Sequence, residues 1–165
     1  MKKIVIVLIL LFGTFSGSAL AQKMPEWYIK LKKIELLKST ENDVVRLYGE
    51  PINPKSRILK TFETDDGDLT IMISTGKCGT EHKNGYNVEA GVIERIRFSV
   101  NRKSQMKAKY LGIKLSKFEK SKVSDVPGVF FYNNPDSGVD FYLERGLVSE
   151  IGFNPSSEYE ELFCS

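Results

Sequence analysis

The residues that invite a chemical reading sit in one short run, Cys78-Gly79-Thr80-Glu81-His82, with a second cysteine far downstream at Cys164. A cysteine four residues before a histidine has the spacing of half a zinc site. A structural zinc site takes four ligands, and only Cys164, Glu81 or a remote acid could complete this one. His82 is also the one histidine in the chain, so a Ser-His-Asp or Cys-His mechanism has to pass through it, and no G-x-S-x-G nucleophile elbow accompanies it. Gly76-Lys77 fails as a phosphate loop, because Ile71 stands where the first glycine belongs and Cys78 where a Ser or Thr belongs. Asp65, Asp66 and Asp68 crowd one turn without the later bidentate glutamate of a calcium loop, and turn chemistry accounts for them. Other carboxylates are scattered too evenly to pick out a glycosidase pair. The residues therefore predict no catalytic group, no cofactor and no metal.

A second feature is charge. Between Arg102 and Lys122 stand Arg102, Lys103, Lys107, Lys109, Lys114, Lys117, Lys120 and Lys122 against the single acid Glu119. Such a run is commonly one solvated face, and it is also what an acidic partner or an anionic surface would meet. Candidate binding residues are His82, Lys107, Lys109, Lys114 and Lys117.

The start of the chain supplies an address. Lys2 and Lys3 precede an apolar run from Ile4 to Phe12 and then Ala19-Leu20-Ala21, the pattern of a secretory leader cleaved near Ala21. The run is too short to span a bilayer, which takes about 20 residues, so no transmembrane segment is expected in the mature chain. The charge of +3 falls when the leader goes: 24 basic residues less Lys2 and Lys3 leave 22 against 21 acidic, or +1. A nearly neutral protein has no electrostatic footprint for nucleic acid. Export takes Cys78 and Cys164 to a compartment, periplasmic or extracellular, where disulfides persist, and an even pair favours one bridge between them. Closing a loop of about 85 residues is worth roughly 4 to 5 kcal/mol in the chain-entropy model.

The elements that must position these residues are legible in part. Residues 26 to 38 put Trp27, Leu31, Ile34 and Leu36 or Leu37 on one helical stripe, although Trp27-Tyr28-Ile29 suits an extended arm as well. In "STENDVVRLYGEP", Thr40 and Asp43 have capping-box spacing, Gly49 can take the left-handed stop and Pro51 blocks continuation. Strands are predicted over Ile58–Thr64, Leu69–Ser74 and Gly91–Val100, and again over Val129–Tyr132, Val139–Glu144 and Gly146–Asn154. The segments "GVIERIRFS" and "GLVSEIGFN" align Gly, apolar, apolar, Ile and Phe in register, which favours a tandem pseudo-repeat. Ser104–Gly112 and Leu115–Lys120 then read as the helices of the second half.

The capped "ST..DV..L.G.P" helix followed by an antiparallel meander resembles the SmpA/OmlA module of the barrel-assembly lipoprotein subunit and, more broadly, β-lactamase-inhibitor-protein-like domains. With "STGKCG", "GYNVEAGVIERIRFSV" and "SSEYEELFCS" the chain looks like an uncharacterised exported bacterial family built as tandem modules of that plan. The resemblance implies an α+β fold of two similar half-modules, short helices packed on antiparallel sheet. It divides the chain into a leader (1–21), a lead-in segment (22–38), a first module (39–101) and a second (102–165). It also implies a non-catalytic binding or scaffold protein of the cell envelope that contacts an envelope or extracellular protein through the concave sheet and the loop around Cys78, with the basic stretch after Asn101 as a second surface. A hydrolase using His82 and a purely structural envelope protein are the alternatives.

Overall fold

Where apolar and polar residues alternate, the computed structural model, which describes residues 23–79 and 85–164, forms one antiparallel sheet. Its strands are β1 (Leu59–Thr64), β2 (Gly67–Ile73), β3 (Ile93–Val100), β4 (Glu119–Lys122), β5 (Val129–Asn134), β6 (Val139–Glu144) and β7 (Leu147–Phe153). They lie in the order β1-β2-β3-β7-β6-β5-β4. Each half is thus a meander of neighbours, and the halves meet where β3 runs antiparallel to β7, with Phe98 opposite Ile151. The leader expected over residues 1–21 and the run from Thr80 to Asn84, with His82, lie outside the described residues.

One apolar row crosses six strands in register: Phe62, Leu69, Phe98, Ile151, Phe141 and Tyr132. All are buried. Each contributes on the order of 1.5 to 3 kcal/mol by leaving water. The N-terminal segment covers this row. In α1 (Glu26–Leu31), Trp27 stacks on Phe98 with ring centroids 5.0 Å apart, and Tyr28 and Leu31 complete the buried side. The helix ends there, and Leu37 takes a left-handed φ of 61°. The chain then runs along the start of β3: the Leu37 amide donates to the Ile93 carbonyl (2.8 Å) and the Ile93 amide to the Ser39 carbonyl (2.8 Å).

Helix α2 (Glu41–Tyr48) starts where its capping residues say it should. The Thr40 amide donates to Asp43 Oδ2 at 2.8 Å, and Gly49 closes the end by donating to the Val45 carbonyl at φ 84°. Too short to persist alone, it is held by burial of Val44 and by the buried Lys60 of β1, whose Nζ lies 3.1 Å from Glu41 Oε1 and donates to the Pro54 carbonyl at 2.5 Å.

The α+β expectation does not hold: the fold is predominantly β, a seven-stranded antiparallel sheet with few short helices. The error lies in the second half. Met106 is drawn into a bridge with Val148, whose amide donates to the Met106 carbonyl at 2.8 Å, so the first half of the expected Ser104–Gly112 helix is extended. Only a 3₁₀ turn over Ala108–Leu111 remains, stopped by Gly112 at φ 73°. A second 3₁₀ turn covers Leu115–Lys117, and Glu119–Lys122 pairs with β5 as a strand. Four charged and polar residues have little β-propensity, but the unpaired backbone of β5 offers a ladder that a surface helix does not.

Candidate functional site

The two cysteines form a disulfide, with Cα atoms 5.4 Å apart across a sequence separation of 86. Around it the C-terminal tail is laid against the first half of the sheet: Cys164 donates its amide to the Gly85 carbonyl (2.9 Å), Asn87 donates to Leu162 (2.7 Å), and the rings of Tyr86 and Phe163 meet edge-on at 5.4 Å. Cys164 is buried. With both sulfurs in one bond, neither is available as a zinc-binding or nucleophilic thiolate. A cavity of about 620 Å³ opens beside Gly76, Lys77 and Glu41. Lys77 is paired there with Glu89 at 2.9 Å, and that bond and its charge raise the lysine's pKa, so its ammonium is neutralised locally rather than aimed at a phosphate.

The acidic turn is likewise engaged. Asp66 accepts from Ser104 Oγ at 2.6 Å, and its carbonyl accepts from the Asn101 amide at 2.7 Å, so the turn anchors the start of the basic segment. Among the described residues no group of three or more His, Cys, Asp or Glu is placed to hold a metal ion.

The basic segment lies differently. Lys114 and Lys117 line a cavity of about 730 Å³ whose other walls include Tyr28, Phe118, Asn134 and Asp136. Asn134 builds it: its Nδ2 donates to the Lys117 carbonyl (2.8 Å) while its Oδ1 accepts from the Ser137 amide (3.2 Å), tying the turn over Leu115–Lys117 to the turn over Pro135–Ser137. Phe118, edge-on to Phe141 at 5.0 Å, forms an aromatic wall. Burial raises the pKa of the Tyr28 phenol, which therefore stays protonated at neutral pH. Lys107 and Lys109 do not line this cavity, and Lys109 instead lies over the Tyr110 ring at 4.9 Å. None of the eight cations between Arg102 and Lys122 forms an ion pair with a described residue. The arrangement suits carboxylate or other anionic groups: two ammonium groups with no ion pair among the described residues, beside an aromatic wall and a phenol, with the Asp136 carboxylate as the one acid in the lining.

On the sheet face turned away from the helices lies a polar cluster that sequence reasoning missed. Arg97 Nη1 donates to Glu150 Oε1 at 2.8 Å and Nη2 lies 3.8 Å from Asp140 Oδ1, while Ser99 donates to Glu150 (3.2 Å) and Asn154 to Asp140 (2.7 Å). Burial opposes the charge of Arg97, but Asp140 and then Glu150 outweigh it and hold the guanidinium protonated. The one sequence signal was Gly152 inside an alternating strand, which marks a close approach. Here it leaves room for the Asp140 carboxylate. With one guanidinium shared by two carboxylates, this cluster fastens β3, β7 and β6 together rather than presenting a site.

No protein-family model matches the chain, and no curated protein matches it. Among solved structures, the chain is similar to a DUF4309 family protein (YjgB) from Bacillus subtilis subsp. subtilis str. 168, at 16% identity over 82% of this chain and 88% of that one, with a TM-score of 0.47.

Proposed function

We propose that this is an exported, non-catalytic binding protein of the cell envelope that holds a protein partner by acidic groups docked at the rim formed by Lys114 and Lys117. The carrying observation is the contrast between cations. Arg97, Lys60 and Lys77 each sit within reach of a carboxylate of their own chain. The lysines at the 730 Å³ cavity have none among the described residues. An unpaired cationic rim around an aromatic-walled recess is complementary to carboxylates on another chain, and such complementarity steers encounter and selects the partner. The SmpA/OmlA-like modules that the sequence resembles also act by binding, which agrees with this reading.

Export fits the same picture. The chain has a disulfide, and no helix among the described residues is long and apolar enough to cross a membrane. The reading is tested by cross-linking capture from the native envelope, run in parallel with the native chain and a Lys114→Glu/Lys117→Glu double variant. A protein enriched by the native chain and lost with the variant supports it. Equal recovery by both removes the lysine rim from the reading.

A further inference from the structure

The two edges of the sheet are finished differently. At β1 the outward-facing backbone is occupied: Ile52 donates its amide to the Thr61 carbonyl (2.9 Å), the Thr61 amide donates to Asn53 Oδ1 (2.7 Å), and Asn53 Nδ2 donates to the Leu59 carbonyl (2.9 Å). A side-chain amide stands in for the missing strand, and that edge is closed.

The β4 edge is open. The Val123 amide donates to the Val129 carbonyl (3.4 Å), and the register continues through Ser121 opposite Phe131 and Glu119 opposite Asn133. In an antiparallel ladder, residues two apart bond the same neighbour. Lys120 and Lys122 therefore aim their amides and carbonyls away from β5, and no other described residue bonds them. Every residue of β4 is exposed. The apolar row that crosses the sheet ends at this edge: Tyr132 faces Lys120, whose Nζ lies 3.8 Å from the centroid of the Phe130 ring.

An open edge with alternate lysines discriminates between occupants. A second copy of β4 pairing antiparallel about Ser121 would set Lys120 against Lys122 twice, and like charges directly opposite are destabilising. A strand bearing carboxylates on the same face reverses the sign of both contacts. From the open ladder and this charge pattern we infer that β4 accepts an extended acidic segment of a protein partner as an eighth strand. Its backbone bonds Lys120 and Lys122, and its acidic side chains meet the two ammonium groups. The inference rests on the binding reading above and adds the mode of binding.

The test uses the full disulfide-bonded chain and a labelled eight-residue peptide alternating glutamate with valine, read by fluorescence anisotropy. Lys120→Gln removes a charge and keeps the outward amide. Lys120→Pro removes both, at an edge position whose amide serves no partner within the fold. Strand addition predicts that Gln weakens binding about threefold and Pro by about a further three- to tenfold, the worth of one backbone hydrogen bond. Equal weakening by Gln and Pro overturns strand addition while leaving charge-driven binding intact. No binding of the peptide to the native chain also overturns it, and capture with the Lys114→Glu/Lys117→Glu variant judges the broader reading separately. Amide hydrogen exchange guards against misfolding of the Pro variant: in the native chain, peptide must slow exchange at Lys120 and Lys122, and unchanged exchange there overturns the proposal.

Discussion

A Cβ placed on Gly152 would lie 2.5 Å from Oδ1 of Asp140, its partner across the β6–β7 ladder. The missing side chain is what lets a buried carboxylate lie flat against the sheet, where Arg97 and Asn154 reach it. Gly152→Ala should therefore push Asp140 away from both and cost about 1 to 3 kcal/mol. Urea denaturation checks this, and an unchanged midpoint would mean that the carboxylate relocates without loss.

The disulfide should be complete and stabilising. Thiol titration of denatured, unreduced protein should find no free cysteine, in keeping with the Cys78–Cys164 bond. Replacing both Cys78 and Cys164 by alanine should lower stability relative to the native chain by up to roughly 4 to 5 kcal/mol, the chain-entropy ceiling for such a loop. Two reactive thiols in the unreduced protein would sink the assignment.

Lys114→Glu/Lys117→Glu should leave the denaturation midpoint nearly unchanged, within about 0.5 kcal/mol of native stability, because both residues are exposed and unpaired within the described chain. A large loss of stability would show that the lysines serve the fold, and loss of captured partner could then not be assigned to binding.

Acid should loosen the start of α2. The Thr40 amide first, then its hydroxyl, bond the Asp43 carboxylate and, with Arg46 nearby, lower its pKa. A carboxylate with a depressed folded-state pKa stabilises the fold above its unfolded value of about 3.9 and loses that contribution as pH falls through the lower, folded value. Carbon-detected NMR titration should place Asp43 below the unfolded value, and Thr40→Val should move it upward. A titration at or above the ordinary carboxylate value contradicts the capping geometry.

What could be read from the sequence follows the range of the forces involved. The cap and stop of α2 are written within ten residues, and strands such as Ile93–Val100 announce themselves by alternation. The cysteine pair needed only parity and compartment. Glu119–Lys122 carries no strand signal of its own and becomes β4 through pairing with β5. Ser104–Gly112 has helical composition, but the Met106 bridge to Val148 overrides it. The Arg97 cluster joins residues more than 40 positions apart, and only the stray glycine hinted at it. Lys114 and Lys117 were singled out by charge, whereas the cavity that separates them from Lys107 and Lys109 depends on Asn134 across the fold.

The strand order has a kinetic consequence. Every strand pair but one joins neighbours along the chain, so each half can assemble across loops shorter than the one that joins the halves. The pairing of β3 with β7, residues 96–99 against 150–153, closes a loop of some fifty residues. Closing that loop costs entropy before its contacts give anything back, so the seam is where folding should be slowest. Substitutions that trim Phe98 or Ile151 should then slow refolding, and trims within a hairpin already formed at that barrier, such as Leu143→Ala, should also fall on the refolding rate and leave unfolding little changed.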